Sequence, residues 1–386
     1  MAVPFLDLTR QYETIRPEIE RAIAGVFQTQ HFILGNNVTS LEKEAADYLG
    51  VPYAVAVASG TDAILLSLRA LGLRWGEGVV TTSFTFFATA GAIHNSGGRA
   101  FFVDIDPGTF NLSPEALRRF LESECRRNDS GHVIHQKTGV RVRGVLPVHL
   151  YGMPADMEAI GRIAREYGLF VLEDACQAFG AQYKGKRAGA MSDAGTFSFF
   201  PTKNLGGAGD GGMIAVQDQP TAERLLRLRV HGGRERYYHD EVGFNSRLDE
   251  VQAAVLRVKL PKLDAWNKRR ADVAARYAAG LAGVAEATPP SCPDDRTHIY
   301  HQYVIRAQKR DQLREYLQER GIGSMIYYPV PLHRQKCFTF LGYREGDLPE
   351  TEKAAAEVLA LPVFAELTEQ EIEEVCSGIK AFYSEA

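Results

Sequence analysis

Short apolar segments alternate with amphipathic segments between about residues 51 and 216 of this chain. Between several of the apolar segments, apolar residues recur at helical spacing, as at 61–71, 114–121 and 156–167. Strands that are apolar on both faces and separated by helices are typical of a mostly parallel sheet covered on both sides. We therefore predict an α/β fold with a mostly parallel seven-stranded sheet covered by helices. The predicted strands lie at 51–58, 78–82, 100–105, 144–150, 169–175, 195–200 and 213–216.

The pattern changes after about residue 220. A long helical pattern at 248–277 contains Pro261, which is expected to kink or break the helix. A strand-like run follows at 298–307. The remaining predicted elements are helices at 312–320, 352–359 and 369–383 and a loop at 326–335. We expect a large domain over residues 1–240 and a smaller α+β domain over residues 241–386, which would be discontinuous if the first fifty residues packed against it.

Composition and charge exclude several classes of protein. The chain has 386 residues, with 44 Lys and Arg against 48 Asp and Glu, a balance that lacks the basic footprint of a nucleic-acid-binding protein. Its apolar runs are shorter than the roughly 18 residues of a membrane helix. Its five cysteines form no CxxC pair, so neither a zinc knuckle nor a disulfide framework is indicated. The first residues lack the long apolar segment of a signal peptide, and we expect a cytoplasmic protein.

Candidate chemistry lies where the predicted strands end, because open parallel sheets bind ligands at the carboxyl ends of their strands. After the first strand, Ser59, Gly60 and Thr61 precede a predicted helix. The free N–H groups of the first helical turn, with the two hydroxyls, would suit a phosphate. A simple helix cap would use the same residue types.

Two charged residues follow later strands. Asp174 ends a buried strand, where a carboxylate is costly unless it is paired, although a capping role is the alternative. Lys203 lies between a buried strand and a glycine cluster, where desolvation would make its amine nucleophilic, although most lysines lie on the surface. Phe86 follows the second strand and would suit stacking on a planar ring, or core packing. A phosphate site, a carboxylate and a lysine together match the needs of pyridoxal phosphate.

The glycine cluster itself offers a competing hypothesis. Residues 207–212 fit the GxGxxG pattern of dinucleotide-binding enzymes such as NAD-dependent dehydrogenases. This segment precedes a predicted strand and opens no helix, so the context that gives the pattern its meaning is missing. The glycines more plausibly let the loop carrying Lys203 turn tightly beneath a cofactor.

Longer motifs resemble a known family over nearly the whole chain. The sequence is similar to the DegT/DnrJ/StrS sugar aminotransferases, pyridoxal-phosphate enzymes of the aspartate aminotransferase fold (fold type I). The similar motifs occur in family order. They are PFLDL (4–8), SGTDA (59–63), SFTFFAT (83–89), PVHLYG (147–152), LEDACQAFGA (172–181), SFFPTKNLGGAGDGG (198–212), GFNSRLDEVQAA (243–254), YYPVPLH (327–333) and LALP (359–362). One departure is the segment 123–143, which is longer than in most of the family and is expected to be a surface excursion.

The resemblance implies roles around the cofactor ring. Lys203 resembles the lysine that forms the Schiff base and moves the proton during transfer, and Asp174 resembles the partner of the pyridine nitrogen. Gln177 resembles the glutamine beside the ring and its 3-hydroxyl. Phe86 occupies the position of the stacking aromatic. Because some relatives that are dehydratases carry histidine at the lysine position, Lys203 argues against that chemistry.

The resemblance also implies phosphate ligands and a second subunit. Gly60, Thr61 and Ser198 resemble the phosphate ligands of the family. Asn245 resembles an asparagine that reaches the phosphate from the neighbouring subunit, which implies a homodimer with shared active sites. From the residues alone, Asn245 would be a turn residue or part of a helix cap.

The resemblance finally implies the substrates. The donor is L-glutamate, which leaves pyridoxamine phosphate as the intermediate cofactor form, and the acceptor is a keto group on a nucleotide-linked sugar. The motifs at 243–250 and 327–333 look most like enzymes that aminate C3, with C4 left open. A non-catalytic regulator with the same fold and pocket is the alternative function.

Candidate contacts with the substrate are less specific than those with the cofactor. The aromatic candidates are Tyr183, Tyr327 and His333, for which exposed loop side chains are the alternative. Arg229 and Arg247 would suit a carboxylate or diphosphate, although surface ion pairs are the common fate of helix arginines.

Overall fold

A seven-stranded mixed sheet forms the centre of the larger part of the protein. The computed structural model describes residues 2–235 and 237–385. The strands of this sheet, β1 to β7 in chain order, are Tyr53–Val57, Gly78–Thr82, Arg99–Val103, Val142–Leu146, Phe170–Asp174, Ala194–Ser198 and Gly212–Val216. The spatial order is β1-β7-β6-β5-β4-β2-β3, and only β7 runs antiparallel to its neighbours. The predicted seven-stranded, mostly parallel sheet is confirmed.

Helices cover both faces of the sheet. Twelve α-helices occur within the described residues. In chain order, α1 to α12, they are Leu8–Thr29, Asn36–Leu49, Gly60–Ala70, Ala88–Asn95, Pro114–Ser123, Met157–Tyr167, Gln219–Leu228, Glu250–Lys259, Leu263–Gly280, Arg310–Glu319, Pro349–Glu357 and Glu369–Glu385. Pro261 lies in the 3-10 turn Leu260–Lys262 between α8 and α9, so the predicted break in the long helix is confirmed. Further 3-10 turns are Leu150–Gly152, Leu332–Arg334 and Lys336–Leu341.

The strands are buried on both faces, because side chains alternate between two apolar layers. In β1, Val55 and Val57 face a layer that includes residues of α3, whereas Ala54 and Ala56 face a layer that includes residues of α2 and α8. This two-sided burial explains why the sheet strands appear in the sequence as continuous apolar runs.

A smaller antiparallel sheet lies in the C-terminal part of the chain. Its strands, β8 to β10, are Ala287–Thr288, Tyr303–Ala307 and Val358–Leu361. The predicted strand at 298–307 begins only at Tyr303, and the predicted helix at 352–359 ends at Glu357, where β10 follows. Short two-stranded hairpins make up the rest. They are Cys125–Arg127 with Val133–His135, Gln182–Tyr183 with Lys186–Arg187, and Gly233–Glu235 with Tyr238–His239.

The first residues of the chain pack against its C-terminal elements. The Val3 N–H donates to the Gly321 carbonyl at 2.9 Å, and the Gly323 N–H donates to the Val3 carbonyl at 2.8 Å. Helix α8 in turn packs on α1 and α2. The division into domains after residue 240 stays a prediction. Within residues 2–235 and 237–385, no helix is long and apolar enough to cross a membrane.

An ion pair joins α1 to α12 and makes stability depend on pH. Arg10 donates two hydrogen bonds, of 2.7 and 2.8 Å, to the buried carboxylate of Glu371. These bonds, with others from Thr368, lower the pKa of Glu371 from 4.5 to about 2. Because the folded state holds the ionised form, this stability is present above pH 4.5 and is lost as the pH falls toward 2.

We therefore expect Glu371→Gln to lower the free energy of unfolding at pH 7 by about 1–2 kcal/mol. Urea unfolding of both proteins between pH 7 and pH 3 measures this, and the difference should shrink as the pH falls. The exposed Glu373 lies on the same helix, so Glu373→Gln is the matched control. A difference that stays constant across this pH range would contradict the assigned role of the ion pair.

Candidate active site

A cavity of about 690 Å³ opens at the carboxyl ends of five strands of the large sheet. Residues that follow β1, β2, β4, β5 and β6 line it, together with residues of the loop 326–335. The cavity brings together nine of the residues singled out in the sequence. They are Ser59, Gly60, Thr61, Phe86, Asp174, Gln177, Ser198, Lys203 and Tyr327.

One end of the cavity is built to hold an anion. Helix α3 begins at Gly60, and its first internal hydrogen bond runs from the Ala63 N–H to the Ser59 carbonyl at 2.9 Å. The N–H groups of Gly60 and Thr61 come before this bond in the chain, so they have no acceptor within the helix, as is usual for the first residues of a helix. A Cβ atom on Gly60 would lie only 2.6 Å from the Cβ of Ser198, so the close approach requires glycine. This arrangement fits a phosphate group.

Asp174 and Lys203 line the same cavity. Asp174 is 5% exposed, and its carboxylate accepts hydrogen bonds from the Thr89 hydroxyl at 2.8 Å and from the Cys176 N–H at 3.2 Å. Burial lowers the pKa of the Lys203 amine, although nearby Cys176 and Asp174 partly oppose this. The site therefore combines a fixed carboxylate with an amine that loses its proton more easily than an ordinary lysine, as a nucleophile requires.

Gln177 and Phe86 complete the cavity near Asp174. The Gln177 side chain accepts a hydrogen bond from the Tyr151 N–H at 2.7 Å and donates one to the Tyr328 hydroxyl at 2.9 Å. These contacts hold the amide in place. The Phe86 ring lies 6.3 Å from the Tyr328 ring and is 56% exposed. Since Phe86 lines the cavity and is not part of the core, its free face suits stacking on a planar ligand.

Comparison with known proteins agrees with this geometry. Residues 13–380 match the DegT/DnrJ/EryC1/StrS aminotransferase family. The chain belongs to this family. Its relatives include a pleiotropic regulatory protein of Geobacillus stearothermophilus, which is 48% identical over 386 residues with 99% of each chain covered.

Another relative is the UDP-N-acetyl-3-dehydro-alpha-D-glucosamine 3-aminotransferase of Acidithiobacillus ferrooxidans, 40% identical over 379 residues. The match covers 98% of this chain and 97% of that protein. Streptomyces venezuelae DesV, solved in complex with a ketimine intermediate, has a similar structure with a TM-score of 0.92 at 40% identity. That similarity covers 99% of this chain and 98% of DesV, and it confirms the predicted aminotransferase fold.

Two of the candidate substrate contacts lie outside the cavity. The Tyr183 hydroxyl donates to Asp156 at 2.8 Å, and the ring is 5% exposed. Arg229 is 7% exposed; it donates to the Ala56 carbonyl at 2.8 Å and forms an ion pair with Glu42. Because internal partners hold both side chains, neither is placed to meet a ligand in the cavity of its own chain.

His333 also lies outside the cavity, although its neighbour in the motif, Tyr327, lines it. The two ring nitrogens of His333 contact the Ser83 hydroxyl at 2.7 Å and the Glu352 carboxylate at 3.0 Å. His333 therefore helps to fix the loop that carries Tyr327. Arg247 does not line the cavity of its own chain either.

Asn245 is exposed and lies away from the cavity of its own chain, next to Val230, with which it pairs through the backbone. An exposed position is what a contact with a neighbouring subunit requires. Its role at a shared active site stays a prediction.

The glycine cluster at 207–212 shapes the loop after Lys203. The Gly207 N–H donates to the Phe199 carbonyl and the Ala208 N–H donates to the Gln252 side chain, both at 2.7 Å. The segment then enters β7 and opens no helix, as the sequence predicts. It therefore lacks the strand–turn–helix context of a dinucleotide-binding motif.

Several cavity residues were not singled out in the sequence. Thr89 and Tyr328 fall inside motifs that were recognised, so the motifs located them without indicating their contacts. His301 and Gln302 lie in the predicted strand at 298–307, before the true strand begins. These two residues are distant in sequence from the strands whose ends they meet at the cavity. Hydrophobic periodicity cannot reveal such a long-range contact.

Proposed function

We propose that this protein is a pyridoxal-phosphate-dependent aminotransferase that moves an amino group from L-glutamate to the C3 keto group of a nucleotide-linked sugar. The observation that carries the proposal is the single cavity that joins the Lys203 amine, the Asp174 carboxylate and the start of α3. Membership of an aminotransferase family supports the same conclusion.

The residues present fit the cofactor. The approach of Ser198 to Gly60 leaves room for backbone donors but for no side chain, as a phosphate site needs. The buried Asp174 carboxylate faces the cavity and suits a protonated pyridine nitrogen. When bound, pyridoxal phosphate supplies an electron sink that eases removal of the proton from the amino-bearing carbon.

The protein residues then divide the work of transfer. The N–H groups of Gly60 and Thr61, with the Ser198 hydroxyl, would bind the phosphate. Asp174 would keep a proton on the ring nitrogen. Lys203 Nζ would hold the cofactor covalently until the donor amine displaces it; the freed amine would then accept the proton from the amino-bearing carbon of the donor and deliver a proton when the sugar is aminated.

The finer assignments have separate support. Amination at C3 rests on the activity for which the Acidithiobacillus relative is named. L-Glutamate as donor rests on the resemblance to the family. The exposed Asn245 supports a homodimer in which each subunit completes the phosphate site of the other. A cytoplasmic location is proposed from the sequence.

The glutamate half-reaction tests the proposed function. Protein saturated with pyridoxal phosphate is mixed with L-glutamate in the absence of any sugar. We expect the visible absorbance of the bound cofactor to fall as one 2-oxoglutarate forms per active site. L-Aspartate and L-glutamine serve as alternative donors, and a reaction with one of these only would overturn the choice of glutamate. No reaction with any donor would count against an aminotransferase.

A second candidate function is that of a non-catalytic regulator that keeps the cofactor pocket. The name of the Geobacillus stearothermophilus relative favours it. A regulator of this kind would bind pyridoxal phosphate but would not convert an amino donor to its keto acid. The same half-reaction therefore separates the two functions.

The close approach at Gly60 gives a prediction for cofactor binding. Gly60→Ala would place a methyl group against Ser198 and Cys176, so we expect the Kd for pyridoxal phosphate to rise at least about tenfold. A titration followed by visible absorbance measures it. Gly25 lies in α1 with open space around it, so Gly25→Ala is the matched control and should bind the cofactor normally. Unchanged binding by Gly60→Ala would contradict the placement of the phosphate.

A further inference from the structure

Two buried asparagines connect Lys203 to a histidine that also lines the cavity. Asn204 directly follows Lys203 and is 6% exposed, and Asn267 on α9 is 7% exposed. The Asn204 amide donates to Asn267 Oδ1 at 2.7 Å, and its Oδ1 faces His301 Nδ1 at 3.3 Å. Lys203 and His301 both line the cavity.

Backbone carbonyls fix the orientation of both amides. Asn204 Nδ2 also donates to the Ile299 carbonyl at 3.1 Å, and Asn267 Nδ2 donates to the Phe179 carbonyl at 3.4 Å. Because a carbonyl can only accept, the NH₂ group of each asparagine must point toward it. The Asn204 oxygen therefore faces His301, and Nδ1 of His301 must carry the hydrogen.

The surroundings keep the His301 ring neutral. Burial is the main cause that lowers its pKa well below 6.5, and the charge of Arg270 lowers it further. A neutral ring with its hydrogen on Nδ1 has an unprotonated Nε2, which can only accept a hydrogen bond. The Lys203 amine lines the same cavity and interacts electrostatically with this ring, so it is the donor that we consider for Nε2.

We propose that His301 is a positioning residue for Lys203: through Nε2 it accepts a hydrogen bond from the Lys203 amine and turns the nitrogen lone pair toward the cavity. When one hydrogen of a neutral amine is held in a fixed direction, only two orientations remain for its lone pair. This restriction favours the alignment that nucleophilic attack and proton removal need. This inference rests on the proposed function, since it assigns His301 a part in the reaction of Lys203.

Asparagine and glutamine at position 301 separate the two ring nitrogens. The shorter amide of His301→Asn can replace Nδ1 and keep the bond to Asn204, but it leaves no acceptor for Lys203. The longer amide of His301→Gln can replace Nε2 with an oxygen acceptor and gives up the contact with Asn204. A purely structural role through Asn204 predicts that asparagine is tolerated, whereas the positioning role predicts that glutamine is tolerated.

The first measurement does not depend on amino transfer. Pyridoxal phosphate is added to cofactor-free protein, and the rate at which it becomes attached to Lys203 is followed by visible absorbance and by borohydride trapping. We expect His301→Asn to slow attachment about 10–100-fold, and His301→Gln to stay within about tenfold of the original protein. The exposed His94 provides a control, and His94→Asn should leave the rate unchanged. Equal rates for both position-301 variants, or a slower rate for glutamine than for asparagine, would overturn the proposal.

The second measurement is the tautomer of His301 in full-length protein labelled with ¹⁵N-histidine, with the signal assigned by its loss in His301→Gln. We expect a protonated Nδ1 and a bare Nε2 between pH 6 and pH 8, and a hydrogen on Nε2 would overturn the proposal. If the protein transferred no amino group from any donor, the proposed function would fail, while the tautomer and the attachment rate would still decide the role of His301.

Discussion

Replacement of Lys203 by alanine is expected to abolish amino transfer, with a loss of at least about 10⁴-fold in kcat. The variant lacks both the nucleophile that holds the cofactor and the base that moves the proton. Among the described residues that line the cavity, no other has a side-chain amine. Turnover with glutamate and a keto-sugar measures the loss. Mass spectrometry after borohydride reduction shows whether the cofactor is attached at position 203.

A surface lysine provides the control for this variant. Lys186 is exposed and lies outside the cavity, so Lys186→Ala should keep full activity and normal cofactor attachment. If Lys203→Ala kept the visible absorbance of attached cofactor and still transferred amino groups, the assignment of the central residue would be wrong.

Asp174→Asn is expected to leave a weakly active protein, with kcat lowered about 10²–10³-fold. The neutral amide cannot hold a proton on the ring nitrogen of the cofactor, so the electron sink weakens. The change also conflicts with its neighbours, because the Thr89 hydroxyl and the Cys176 N–H both donate to the carboxylate, and an amide NH₂ cannot accept from either. Steady-state kinetics of transfer measure the effect, together with the visible spectrum of the bound cofactor.

A graded variant tests whether the carboxylate or its surroundings matter. Thr89→Val removes one hydrogen bond to Asp174 and keeps the charge, so we expect a loss of about tenfold or less. Asp129 is exposed in the turn of the hairpin formed by Cys125–Arg127 and Val133–His135 and does not line the cavity. Asp129→Asn is therefore the control and should have no effect on transfer. A Thr89→Val variant as impaired as Asp174→Asn would show that local packing, and not the charge, accounts for the loss.

The large sheet could be predicted from the sequence because its strands are buried on both faces. The run at 78–82 coincides with β2, since all five of its residues are buried and no polar alternation blurs its ends. The sequence also predicts that Asp174 and Lys203 lie at one edge of the sheet, because each follows a buried strand, and both line the cavity there. The family motifs then supplied roles that the residues alone left open.

The sequence failed where long-range packing decides the conformation. The residues of β10, Val358–Leu361, follow an alanine-rich helix as a short apolar run, and periodicity cannot separate such a strand from a further helical turn. His301 was placed in a strand, yet the chain before Tyr303 lies against the cavity. Tyr183 and Arg229 have suitable chemistry for a ligand, but Asp156 and Glu42 already occupy their polar groups.

The amino transfer to a keto-sugar tests the central claim most directly. The protein is incubated with pyridoxal phosphate, L-glutamate and a panel of UDP- and dTDP-linked 3-keto and 4-keto sugars, and products are identified by mass spectrometry and NMR. The account predicts a nucleotide-linked amino sugar with the new amine at C3, and one 2-oxoglutarate for each amino sugar formed. Complete inactivity across the panel, with the cofactor attached to Lys203, would contradict it, and an amine found only at C4 would contradict the assigned position.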